Sequence, residues 1–352
     1  MLHVRRLPAR ILFPVLAVLL LALMLTAAAN GAYPVPPSAI VAILLDRAGW
    51  PHGGFSPEQF TVLWAVRLPR VALGALVGAL LGMAGATMQA LFRNPLADPG
   101  LIGVSSGAAL AVALMIVFGH LWWPDTVQAF GLSLLPAAAF AGGIAATLLV
   151  YRVARGPGGV SMAVMLLAGI GLNAAAQAVI GLASYLATDE QLRSLTFWNL
   201  GSLDGATWQV AGAVAAGGAV ALAVMAALGR SLNALALGEA EARHLGVLVE
   251  TVKLLAIVAG ALAVGMSVAF CGVIGFVGLV APHCIRLLAG PDARVVMPGA
   301  ALLGAALTVV ADLAARTLSV QAELPIGVLT ALVGAPVFLA LLLRARRRLE
   351  AP

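Results

Sequence analysis

Charge is scarce in this chain: Asp, Glu, Lys and Arg make up 10% of its 352 residues, against about 25% in an ordinary globular protein. Too little polar surface remains for a soluble domain of useful size. Cysteine is scarcer still, because Cys271 and Cys284 are the only two and stand in apolar sequence without CxxC spacing. That argues against a disulfide framework or a thiolate metal site and leaves both as packing residues. The chain has no GxxxxGK[ST] phosphate loop and no HExxH pair, so nucleotide hydrolysis and zinc-dependent hydrolysis lack their residues here. Its net charge of +6 is scattered between apolar segments and points to membrane orientation. No nucleic-acid partner is implied.

What the chain has in abundance is apolar sequence, at 62%, together with 39 glycines. A hydrocarbon core about 30 Å thick takes roughly 20 apolar residues per helical crossing. Candidate spans are 1–29, 70–90, 100–118, 129–151, 161–186, 207–228, 250–270, 274–289, 297–315 and 326–344. This predicts an all-α polytopic protein, a single transmembrane domain over 1–352, with about ten crossings. The first stretch resembles a cleaved signal peptide, but its apolar run is long enough to favour an uncleaved helix that starts on the cytoplasmic side. An even number of spans then puts both termini in the cytoplasm. That threading leaves Arg5, Arg6, Arg10, Arg93, Arg152, Arg155, Arg230, Arg243, Lys253, Arg286, Arg294, Arg344, Arg346, Arg347 and Arg348 inside, and Arg47, Arg67, Arg70, Arg193 and Arg316 outside. The excess of inside charge supports it.

The longest polar insertion of the second half is SLNALALGEAEARHLGVLVE, 231–250, between the sixth and seventh spans. Leu232, Leu235, Leu237 and Leu245 recur near helical spacing, Gly238 interrupts them, and Glu239 and Arg243 stand four apart. Two short helices on the membrane surface are expected, against the plainer reading of a solvated connector. GMAGATMQALFRNPLADPGLIG from Gly82 and GMSVAFCGVIGFVGLVAPHCIR from Gly265 echo each other across an odd number of spans. Such an offset is that of inverted repeat halves.

Taken together, RLPR at 67–70, GATMQALFRNPLADPGLIGVSSGA at 85–108, FWNLGSL at 197–203, LNALALGEAEARHLG at 232–246, IGFVGLVAPHCIRL at 274–287 and ELPIGVLTALVGAPVF at 323–338 resemble the FecCD-type permeases of iron-siderophore, haem and cobalamin ABC importers. The resemblance implies ten helices per subunit and a second copy of the subunit across a shared path. It also implies a cytoplasmic ATPase dimer carrying ATP and Mg, a periplasmic substrate-binding protein, and residence in the bacterial inner membrane. In that family the 231–250 loop couples to the ATPase, which gives Leu237, Gly238, Glu239, Glu241 and Arg243 this role. The resemblance likewise implies docking of the binding protein at Arg67, Arg70 and Arg316.

Alternatives stand beside these assignments. Arg67 and Arg70 are also placed to snorkel as interfacial anchors, and Arg316 to pair with Asp312 one turn away. The turn ARGPGGVS, with Pro157, Gly158 and Ser161, resembles the family's cytoplasmic gate before the fifth span, which itself carries no charge. The 187–203 loop resembles the haem branch, with Arg193 as an entrance for haem propionates or as a partner of Asp189 or Glu190. Asn94 and Asp98 are read as capping groups in a Pro-broken turn, and His283 as a packing residue more than a haem ligand. Haem is the preferred cargo, with ferric siderophore or cobalamin next, and no resident cofactor or metal is expected. A proton-coupled carrier would need a buried ionisable residue, for which only Asp312 qualifies.

Overall fold

The computed structural model describes residues 7–31, 33–50, 53–318 and 323–349, with backbone alone for Leu132 and 341–349. Arg5 and Arg6 lie outside the described residues, as do the side chains of Arg344, Arg346, Arg347 and Arg348. The major helices are α1 (Ala9–Ala29), α2 (Leu68–Leu91), α3 (Val104–Trp122), α4 (Leu135–Ala154), α5 (Met162–Leu186), α6 (Trp208–Ala227), α7 (Val249–Cys271), α8 (Val277–Ala289), α9 (Ala293–Thr317) and α10 (Ile326–Leu349). Eight helices among the described residues are long and apolar enough to cross a membrane. α8 and the apolar part of α10, Ile326–Ala340, are shorter.

Small residues decide how these helices meet. On α2, Gly78 and Gly82 face the Gly304 and Ala300 carbonyls of α9, and a Cβ at either position would overlap them. Backbones in contact gain dispersion and exclude lipid where no hydrophobic force drives helices together. The packing follows the repeat, since α2 lies on α9 and α7 on α4, while α3 lies on α4 and α8 on α9. The two halves interlock.

Both echoed stretches break the helical run. After α2 the chain turns at Arg93, whose φ is +50, and passes a short 3₁₀ turn, Pro99–Ile102, before α3. The third span therefore starts at Val104 and not at residue 100. After α7, residues 272–275 are not helical and α8 starts behind Phe276, at φ +65. Backbone of this kind is tolerated at membrane depth only when it is buried in protein or lines a cavity. Here the Pro99 ring of the first break lies 3.2 Å from where a Cβ on Gly278, beyond the second, would stand.

Several shorter helices connect the spans. Pro37–Arg47 follows α1, and Pro57–Thr61 runs through a π-helical stretch, Val62–Arg67, into α2. The 187–203 segment, read as a loop, contains the helix Asp189–Leu200, closed by a capping box between Thr188 and Gln191. At this same end, the rings of Trp64 and Trp208 lie 5.4 Å apart and the Arg47 guanidinium sits 4.5 Å over Trp64. Amphipathic rings of this kind suit a membrane interface.

Candidate functional site

The polar side chains gather at the two ends of the bundle and in one cavity between them. At the end that carries 231–250, two helices, Gly229–Leu237 and Glu239–His244, meet at Gly238. Its φ of +136 is one that only glycine adopts without strain. The first helix buries Leu232 and Leu235 and is tied to the start of α9: Asn233 Nδ2 donates to Asp292 Oδ1 (2.7 Å) and Ala293 N–H donates to Asn233 Oδ1 (2.8 Å). The Arg294 guanidinium holds the Asp292 carboxyl below the usual carboxylate range, with the Asn233 amide acting in the same direction against partial burial.

Facing away from the bundle are Leu237, 68% exposed, Leu245 and Leu248, with Glu241 and Arg243 exposed among them. An apolar face rimmed by charge at a polar end is suited to contact another protein. Glu239, by contrast, turns inward and pairs with Lys253 Nζ at 2.8 Å, while Arg243 reaches it only at 3.7 Å.

The turn before α5 is a minimal hairpin, Arg155–Gly156 paired antiparallel with Gly159–Val160. Pro157 and Gly158 form its exposed tip. Ser161 closes it, donating its N–H to Ala154 O (3.0 Å) and accepting the Val164 N–H as N-cap of α5 (3.4 Å). The hairpin, α2, Leu235, Glu239 and Lys253 line one cavity of about 560 Å³. The structure thus brings Gly158, Ser161 and Glu239 to one place, through Lys253, which in the sequence is only one more charge beside a span.

At the opposite end the three arginines read as docking residues are engaged within the chain. Arg67 is 4% exposed, donating to Ala28 O (3.0 Å), Ala29 O (2.9 Å) and Tyr33 O. Arg70 pairs with Asp312 (2.8 Å), Asp204 (2.9 Å) and Glu323 (2.7 Å). Arg316 pairs with Asp312 (3.1 Å) and donates to Ala27 O (3.2 Å). Burial and carbonyl partners give Arg67 an internal clasp on the segment after α1 in place of a contact surface. Asp312, 2% exposed, is pinned between two guanidiniums, those of Arg70 and Arg316. Asp204 and Glu323 remain half-exposed on the rim.

Arg193 is exposed on the helix Asp189–Leu200. It enters none of the ion pairs among the described residues, so pairing with Asp189 or Glu190 is not seen.

Between the ends, Asp98, Ser105, Ser106, Asn173, Gln177 and Asn199 line a cavity of about 640 Å³. Asn173 and Gln177 lie four apart on α5, and Ser106 Oγ donates to Asn173 Oδ1. The fifth span itself carries no charge, but the broken segment after α2 brings the Asp98 carboxylate to it. Asp98 Oδ1 also accepts the Gly100 N–H at 2.7 Å, and Asn94 Oδ1 accepts the Leu96 N–H at 2.9 Å. Beyond it, Leu200, Phe276, Val328 and Leu332 line an apolar cavity of about 650 Å³ against α10. His283 sits in α8 beside Pro282. No group of three or more His, Cys, Asp or Glu that could hold a metal ion is gathered among the described residues.

Comparison with known proteins gives a consistent picture. The profile of the FecCD transport family matches residues 18–344. The hemin transport system permease protein HmuU of Yersinia pestis is 45% identical over 284 residues, covering 80% of this chain and 83% of its own length. The vitamin B12 import system permease protein BtuC of Escherichia coli O9:H4 (strain HS) is 42% identical over 297 residues, or 84% and 88%. A solved metal-chelate type ABC transporter in an inward-facing conformation superposes with a TM-score of 0.82 at 32% identity, covering 95% of this chain and 99% of its own.

Proposed function

This chain belongs to the FecCD transport family and is a permease subunit of an ABC importer, and we propose that its cargo is haem. The observation that carries the reading is Arg193, an exposed guanidinium on the helix that follows α5, in no ion pair among the described residues. A cation there attracts a cargo bearing two propionates, and its planar fork suits a carboxylate. The 45% identity to a hemin permease supports the same choice.

Two copies of the chain would enclose the path in the bacterial inner membrane, with both termini in the cytoplasm. A cytoplasmic ATPase dimer, holding ATP and Mg, would seat on Leu237, Gly238, Glu241 and Arg243, with Glu239 behind them. A periplasmic binding protein would dock on the opposite rim, on Asp204, Glu323 and Arg47, while Arg70 and Arg316 hold that rim in shape and Arg67 clasps the backbone beneath it. The turn with Pro157, Gly158 and Ser161 would narrow the cytoplasmic end. Neither a cofactor nor a metal is resident in this reading.

The test is uptake into liposomes holding this chain with its ATPase and binding protein, comparing haem, a ferric siderophore and cobalamin. Haem uptake is expected, with Arg193→Ala slowing it by about tenfold at low salt. The loss should shrink at high salt, where the screening length falls to about 3 Å. Uptake of cobalamin or siderophore alone would overturn the haem assignment and keep the permease.

A further inference from the structure

The gate turn and the second coupling helix share one partner, and its geometry suggests a device that the family relationship does not assign. Lys253 lies in the first turns of α7 and is 3% exposed. Its ammonium donates to Val160 O (2.9 Å), Glu239 Oε2 (2.8 Å) and Glu250 Oε1 (3.0 Å). An ammonium has three donors, so all three are used. Glu250 in turn accepts the Val160 N–H on its other oxygen, Oε2, at 2.9 Å. Both main-chain polar groups of Val160 are therefore held by a Lys–Glu pair from α7.

The approach is close. Gly159, at φ +103, lies against the Glu250 carboxylate where a Cβ would overlap it. Among the described residues no hydrogen bond or ion pair joins the helix Glu239–His244 directly to 155–161, whereas Lys253 bonds to both.

We infer that Lys253 is the positioning residue that locks the second coupling helix to the gate turn, so that displacement of Glu239 by the ATPase is passed to Val160 and hence to the start of α5. The chemistry favours a lock over a loose tether. When Glu239 moves, the lysine either follows it and draws Val160 along, or leaves one of its three buried donors unpaired, which is costly. Glu250 keeps the charge compensated throughout. The inference rests on the permease reading above.

The test measures cargo moved per ATP hydrolysed by the complete complex of permease, ATPase and binding protein. Lys253→Met keeps the length of the side chain and removes every donor. ATP hydrolysis is expected to persist while cargo per ATP falls by about tenfold or more, with Lys253→Arg recovering part of it. Glu239→Ala supplies a second variant, because Lys253 then still pairs with Glu250 and the fold survives; it should uncouple similarly. Spin labels on the turn and on the coupling helix should keep their separation through the ATP cycle in the parent and lose it in Lys253→Met. Unchanged cargo per ATP in both variants, in a parent complex that transports, would overturn the inference and leave the permease reading standing. A parent without ATP-dependent uptake would instead sink the reading itself. If Lys253→Met fails to assemble, Glu239→Ala decides.

Discussion

Replacing Asp312 with alanine is expected to destabilise the folded chain by about 3–5 kcal/mol, the cost of removing one partner from a buried ion pair. Its carboxylate is 2% exposed and accepts from Arg70 Nε at 2.8 Å and from Arg316 Nε at 3.1 Å. Without it, Arg316 keeps, among the described residues, the carbonyl oxygens of Ala27 and Asn30 at the α1 end. Arg70 then depends on Asp204 and Glu323, which water reaches. The cluster joins α2, α9, the segment before α6 and the segment before α10, so the loss should be felt across that end of the bundle. Asp312→Asn keeps acceptor capacity and should cost less. Thermal unfolding of the purified chain in detergent reads both, and an unchanged midpoint for Asp312→Ala would show that the cluster does not hold the fold.

The second large effect is expected at Gly85, on the face of α2 turned to the start of α8. A Cβ at this position would overlap the Gly278 carbonyl, which is backbone and cannot rotate away. Gly278 is itself hemmed by Leu81 O, 2.9 Å from a Cβ built there, and by the Pro99 ring at 3.2 Å. The two broken segments meet here, so α2 and α8 must part or one must unwind. Overpacking ordinarily costs about 1–3 kcal/mol and occasionally more; with backbone on both sides, Gly85→Ala should lie at the top of that range or above it. Gly171→Ala on α5, where nothing lies within 4 Å, is the matched control and should stay within about 0.5 kcal/mol of the parent. Equal stability of the two variants would mean that α2 and α8 do not touch as described.

These two sites also show which features of the fold sequence can and cannot reveal. The spans were legible because hydropathy is a local property, and Gly238 was legible as a break because the flanking leucines keep helical spacing on either side. The Asp312–Arg316 pair was legible at four-residue spacing. Arg70 was not: its partners are 242 residues away at Asp312 and in two loops, so an arginine at the mouth of a span read as a docking group. Lys253 was hidden differently, as one more cytoplasmic charge beside a span, although Glu250 three residues earlier was a hint of a built pair. The helix Asp189–Leu200 carried its own signal, since Thr188 and Gln191 have the spacing of a capping box. Asp98 could be placed in a turn but not on the cavity, because a re-entrant break leaves no periodic trace.

In the proposed function, this chain moves its cargo on power supplied by a partner ATPase. The most direct measurement is haem uptake into liposomes bearing the complete complex, with ATP or a non-hydrolysable analogue, and with the proton gradient imposed or collapsed. Uptake that requires ATP hydrolysis and ignores the gradient is the expected result. Uptake that follows the gradient without ATP would contradict the account.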